Sequence, residues 1–306
     1  MERELVWNRV YQAIVHVSKG FPAAHAGSGH PDVHPTWVIV VCWFWSCLWG
    51  RSMAEAMREL QSRKRRGLLE QGGYRLPKRV PDAGTVSRRR RRVDFGRLVR
   101  GVHGHLVDRL LLAPFREVLV VDSSPLDIPT ISHDPDARWG HHGHFGYRVH
   151  TLMTQDRLFL EFAVEPSNAH ELAVAPPLIG QAAARQMRCR YLAGDIGYDS
   201  EPLHRCVRAH LGGMLVAPVN HRGGSCRAPH SPLRRAMWRK WNRPRVRKAR
   251  RTRGEIERSY SLLKGPLALD SLPRHVRHLE NVRAFVAAKI IFYHAYLAQR
   301  GLAHAA

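Results

Sequence analysis

The chain has 306 residues, long enough for one large domain or two, and its 44% apolar share is that of a globular protein, which excludes wholesale disorder. Its 49 Lys and Arg stand against 25 Asp and Glu, a formal charge of +24; such a field repels itself unless a polyanion neutralises it, and nucleic acid is the usual one. Cys42, Cys47, Cys189, Cys206 and Cys226 are odd in number and form no C-x-x-C pair, so they suggest neither a disulfide framework nor a Cys-rich zinc site and fit a reducing cytoplasm.

Up to about Pro114 the chain mixes helical pattern with basic clusters. Trp37-Val-Ile-Val-Val-Cys-Trp-Phe-Trp-Ser-Cys-Leu-Trp49 is the candidate for membrane contact. It is shorter than the ~20 residues a spanning helix needs, and it follows too long a polar stretch for a signal peptide, so a buried helix and no membrane are expected. Arg51 to Leu69 reads as helix. After a Gly- and Pro-rich loop, Thr85 or Ser87 would cap a helix that opens on Arg88 to Arg92. Cations at a helix start oppose the macrodipole, and a phosphate at Arg88, Arg89 and Arg90 would relieve that cost. A solvated charged face is the alternative.

From about Glu117 the pattern alternates. Glu117 to Asp122 is a short apolar run terminating in a carboxylate. Gly146–Met153 and Leu158–Val164 read as a hairpin with Asp156 near its turn. Ala169 to Met187 looks helical, interrupted near Pro176-Pro177. Arg190 to Asp195 is a second strand ending in a carboxylate, Ser200–His210 a helix and Gly213–Pro218 a strand. A polar, basic stretch spans Asn220 to Arg253 and carries Trp238 and Trp241, followed by helices through Glu257–Lys264 and Leu279–Ala298. Hairpin strands followed by alternating β and α imply an α/β fold with a mixed sheet and helices packed on it.

Carboxylates at the ends of buried strands need a reason. Repulsion and desolvation raise the free energy of Asp122 and Asp195 unless a cation is bound, and hard oxygen ligands suit Mg²⁺ or Mn²⁺. The bland reading of either Asp alone is a turn or helix cap. In Arg253–Lys264, a helix of ~100° per residue sets Arg253, Glu257 and Lys264 on one stripe beside a buried face of Ile256, Tyr260 and Leu263. Glu255 falls on the far side with Arg258 and Leu262. His133, His141, His142, His144 and His150 crowd one stretch without zinc-ligand spacing, and read better as a hydrogen-bonding loop near DNA. Asp199 and Asp127 read as turn or helix-start residues.

At these residues the sequence resembles the insertion-sequence transposases with a DDE active site, of the IS-four/IS-five-type group. The matching segments are Val-Val-Asp122-Ser-Ser-Pro, Gly-Asp195-Ile-Gly-Tyr-Asp-Ser200 and Arg253-x-x-x-Glu257-x-x-x-x-x-x-Lys264. Gly146-Tyr-Arg-Val-His150 and Pro166-Ser-Asn-Ala-His170-Glu resemble the family's G-Y-K-x-H strand and P-x-N-x-H-D turn. One departure is Arg250, where the pattern has Tyr.

The resemblance implies an RNase H-like catalytic domain over residues 115–306, preceded by a helical, basic DNA-recognition region over 1–114. Asp122, Asp195 and Glu257 would ligate Mg²⁺, with Mn²⁺ a possible substitute. Arg253 and Lys264 would hold phosphates, and Arg250, Arg148 and Arg88 to Arg90 are further candidate DNA contacts. Water would free a 3′-hydroxyl at the element end, which then attacks target DNA, and two-ended transposition implies a homodimer on DNA. Two rivals are a relative that binds DNA without cutting and a metal nuclease of this fold that hydrolyses without joining.

Overall fold

Six helices precede the sheet: α1 (Arg3–Ser18), α2 (Thr36–Trp49), α3 (Met53–Gln61), α4 (Arg63–Gln71), α5 (Ala83–Arg90) and α6 (Phe95–Leu110). The structure is a computed structural model that describes residues 2–21, 34–91, 94–111, 113–129, 133–221, 229 and 231–301. The Trp-rich run is the buried helix expected of it: Trp45 meets Trp7 edge to face at 4.9 Å and donates its ring N–H to Glu59. Among the described residues no single helix is long and apolar enough to cross a membrane; α2 and α3 reach that length only together, bent by 109°.

Two local expectations change. The helix expected from Arg51 to Leu69 is broken at Ser62, which leaves the α-region and accepts the Arg65 N–H to start α4. The cap of α5 is Asp82, whose carboxylate accepts the Thr85 N–H at 2.8 Å. Arg88, Arg89 and Arg90 therefore stand in the last turn, where cations complement the macrodipole, and the cost inferred for a helix start does not arise.

Strand β1 (Phe115–Asp127) sends Val118 and Val120 into one core and Leu119 and Val121 into another, as a strand covered on both faces must. It runs five residues past Asp122, because β3 (Phe145–Thr154) pairs with it as far as Asp127↔Gly146. The short β2 (Arg138–Trp139) and β4 (Phe159–Pro166) both pair antiparallel with β3. Helix α7 (Glu171–Ala184) then leads to β5 (Arg188–Ala193), and α8 (Glu201–Leu211) to β6 (Met214–Val216), each parallel to its neighbour. The order β4-β3-β1-β5-β6, three antiparallel strands continued by two parallel ones, is the RNase H-like mixed sheet.

Helix α7 continues through Pro176 and Pro177, where a break was expected. The two prolines remove the bonds to the carbonyls of Leu172 and Ala173 in the second turn, and the helix runs on beyond them to Ala184. In the basic stretch the chain forms α9 (Pro232–Lys240) and α10 (Pro244–Thr252), each with Pro in its first turn, and then α11 (Gly254–Lys264). Helix α12 (Leu279–Gln299) is buried on nearly all sides, packing on β4 and against α1, α2 and α6. The N-terminal helices and the α12 face of the sheet thus share one core, while α7 and α8 close the other face.

Candidate active site

The sheet splits where its two halves meet. Strand β5 pairs with β1 only to Val120↔Ala193, whereas β1 stays on β3. Asp122 lies two residues past that pair on β1 and Asp195 two residues past it in the turn that leaves β5, in the crevice where open α/β sheets receive ligands. Asp122 is buried and accepts the Ser123 N–H at 2.9 Å, with Arg253 Nε 4.0 Å from its Oδ2. Burial pushes its pKa up to about 6; the Ser123 N–H and Arg253 oppose the rise, and the nearby charges of Asp195 and Glu171 add to it. Asp195 is half-buried, and its Oδ1 accepts the Gly197 N–H at 2.8 Å, turning the chain through residues 196–198.

Helix α11 docks beside this pair. Ile256, Tyr260 and Leu263 are buried as the helical stripe required, and Glu255 faces away, paired with Arg157 and Arg258. The Tyr260 hydroxyl lies 2.7 Å from Thr151 Oγ1 and 3.4 Å from the Asp122 carbonyl. Glu257 is exposed, one turn after Arg253 and three residues before Tyr260, so its two helix neighbours both meet Asp122. Among the described residues no hydrogen bond or ion pair engages the carboxylate of Glu257 or the ammonium of Lys264.

A carboxylate that sequence reasoning passed over joins the pair. Glu171 opens α7, and its Oε1 accepts from Ser123 Oγ at 2.7 Å and Arg148 Nη1 at 2.9 Å. A Cβ placed on Gly197 would lie 2.5 Å from Glu171 Oε2 and 3.1 Å from Asp195 Oδ1, so both acids crowd this glycine. The available signal was the Glu that closes the P-x-N-x-H-D-like turn and opens the helix after the hairpin strands. Its contact with Ser123, 48 residues away, depends on how α7 crosses the sheet. Tyr198 is fully buried beneath the group, and its hydroxyl has no hydrogen-bond partner.

The other singled-out residues divide clearly. Arg148 is engaged by Glu171. Arg89 is buried and donates to the His34 carbonyl, and Arg90 lies over the Trp43 and Phe95 rings and donates to Asn281; Arg88 is exposed. Arg250 is exposed and stacks over Trp241 at 3.9 Å, while Trp238 turns to solvent. His144 reaches Asp127 and His150 is buried, so the histidines diverge.

Asp199 ties α8 to α9. Burial alone would raise its pKa, but hydrogen bonds from His204, Arg234 and the Asn220 N–H outweigh it and hold it at about 2. Among the described residues the tightest acid–His group is Asp134, Asp136 and His278. Its carboxylates already accept from the Tyr147 hydroxyl and from the N–H groups of Asp136, His278 and Leu279, which anchors the start of α12.

A family model for the transposase DDE domain matches residues 113–293, more than half of the chain and the whole of the sheet. The chain belongs to the transposase DDE domain family. A cryo-EM structure of the piggyBac transposase synaptic complex with hairpin DNA is similar at a TM-score of 0.38 and 12% identity, covering 98% of this chain and 75% of that one. No curated protein matches the sequence. The transposase is thus an enzyme of metal-dependent DNA strand cleavage and transfer, and the hard oxygen donors around a raised-pKa Asp122 fit a divalent cation.

Proposed function

We propose that Asp122, Asp195 and Glu257 are the metal-holding carboxylates of this transposase, and that it acts on the ends of an element of the IS-four/IS-five-type group. What supports this reading is that Asp122 and Asp195 each follow the last β1–β5 pair by two residues, where the sheet splits, with α11 docked beside Asp122. Mg²⁺, or Mn²⁺ in its stead, suits these donors; when bound it supplies Lewis-acid polarisation of the scissile phosphodiester and of the attacking hydroxyl. Glu257, exposed between two residues that meet Asp122, is free to turn toward them once the charge there is neutralised.

The chain's own cations hold the substrate. At the C-terminal ends of β5 and β6 a cleft of about 380 Å³ is lined by Arg247, Arg250, Arg251 and Arg253 with Trp241. Guanidinium forks there would grip the phosphates that flank the cut, and Lys264 would add a point charge further along the helix. Arg88, exposed on α5, would contact the element end, giving residues 1–114 a recognition role and 115–306 the chemistry. Two ends brought together call for a homodimer on DNA. The test is joining of an end carrying a free 3′-hydroxyl to a supercoiled plasmid. Asp122→Asn and Asp195→Asn should bind the end yet yield no joined product; joining at the wild-type rate by either would defeat the assignment.

A further inference from the structure

We propose that Glu171 is a fourth carboxylate of the metal site, presenting Oε2 to the cation beside Asp195 while Ser123 and Arg148 hold the group in place through Oε1. The inference rests on the reading of Asp122 and Asp195 as metal-holding residues and adds a residue that the family pattern leaves without a role.

The geometry divides the two oxygens of Glu171. Oε1 takes a hydroxyl donor at 2.7 Å and a guanidinium donor at 2.9 Å, each from a different strand of the β1–β3 pair, so the carboxylate is oriented rather than free. Oε2 points to the turn after β5, where it and Asp195 Oδ1 lie 2.5 and 3.1 Å from one point, the site of the absent Gly197 Cβ. Two carboxylates so close repel unless a cation shares them, and Arg148 is committed to the opposite oxygen. Any side chain at position 197 would fill the space between them.

A second observation points the same way. The Tyr198 hydroxyl is fully buried without a partner, and the carboxylates that act on it are those of Glu171, Asp122 and Asp195. A buried hydroxyl left without a partner is costly, and a cation with its remaining water ligands would supply one. Glu171 comes from the α7 face and Asp122 from the α11 face, and the charges of Asp195 and Glu171 both act on Asp122.

Mn²⁺ binding to the full-length protein without DNA, counted as loss of the free-ion EPR signal, tests this apart from activity. Glu171→Gln should weaken Mn²⁺ binding about ten- to a hundredfold, with Asp195→Asn losing at least as much. If Asp195→Asn loses binding and Glu171→Gln keeps the wild-type affinity, Glu171 is no ligand and the inference falls alone. If neither changes Mn²⁺ binding, the metal-site reading falls with it. Should Glu171→Gln lower the melting temperature, Glu171→Asp decides. It keeps the charge for Arg148 but withdraws the oxygen by one methylene, so a ligand role predicts weak Mn²⁺ binding and full recovery overturns it.

Discussion

At the scale of single residues, the site is governed by where charge is buried and what neutralises it. Gly197 gives the sharpest test of crowding. Gly197→Ala puts a methyl within contact of both Glu171 and Asp195, so the acids must move apart. Displacement of about 1 Å at a catalytic group costs roughly a hundredfold in rate, and cleavage should fall by that order while the melting temperature changes little. The arginines of α5 give a second test, because neighbours in sequence have opposite environments. Arg89→Ala should lower the melting temperature, since it removes a buried guanidinium that holds the His34 carbonyl. Arg88→Ala should leave stability alone and reduce the slope of log affinity for DNA against log salt by about one phosphate contact.

At the scale of elements, patterning was legible wherever one residue type dominated a short run. The strand that carries Asp122, the strand that stops two residues short of Asp195, and the stripe of α11 that separates Glu257 from Glu255 follow from apolar runs and helical spacing, and the buried Ile256, Tyr260 and Leu263 show why. The helices α9 and α10 were hidden by their basic residues, although Pro232 and Pro244 each open a first turn. The end of β1 was misread because Asp122 looks like a terminus. The strand in fact continues through Ser123–Asp127 on its pairing with β3, with Asp127 also bridged to Ser271. Glu171 was legible only as part of a motif-like turn, since its contacts with Ser123 and Arg148 depend on the crossing of α7 over the sheet.

The edge of β4 carries a further element-scale prediction. His103 of α6 donates to the Phe159 carbonyl and His294 of α12 accepts the Phe159 N–H, each at 3.2 Å, so two neutral imidazoles satisfy the free edge. Burial pushes the His103 pKa down to about 4, with the Phe159 carbonyl opposing and Arg185 adding; burial, then His103, holds His294 well below its ordinary value. Both folded pKa values lie below the unfolded one, so this stability is present above about pH 6.5 and is lost as the pH falls toward 4. For His103 the loss is on the order of 3 kcal/mol. Denaturant unfolding at pH 7 and pH 4.5 should show it, and His103→Gln, which keeps a donor but does not titrate, should flatten the dependence.

At the scale of the whole molecule, a strongly basic chain leaves Arg88 and Arg250 exposed while it buries Arg89 and Lys289. The N-terminal helices and the α12 face share a core, so the basic surface of α5 and α6 is held in fixed relation to the crevice that contains Asp122 and Asp195. Arg250 stands where the pattern has Tyr and keeps an aromatic surface beside the crevice by stacking on Trp241. The mixed sheet itself was readable from the order of elements, whereas the shared core was not, because its contacts join residues as distant as Trp7 and Phe292.

In the proposed reaction the carboxylates around the split sheet cut DNA with a divalent metal, and Glu257 is the exposed member of the set. The decisive measurement is Mg²⁺- or Mn²⁺-dependent nicking of DNA that carries the element's own ends, comparing wild type with Glu257→Gln. Metal-dependent nicking by the wild type, lost in the variant while DNA binding is retained, is the expected result. A variant that nicks as fast as the wild type, or a wild type that binds the ends and cuts with neither metal, would contradict it.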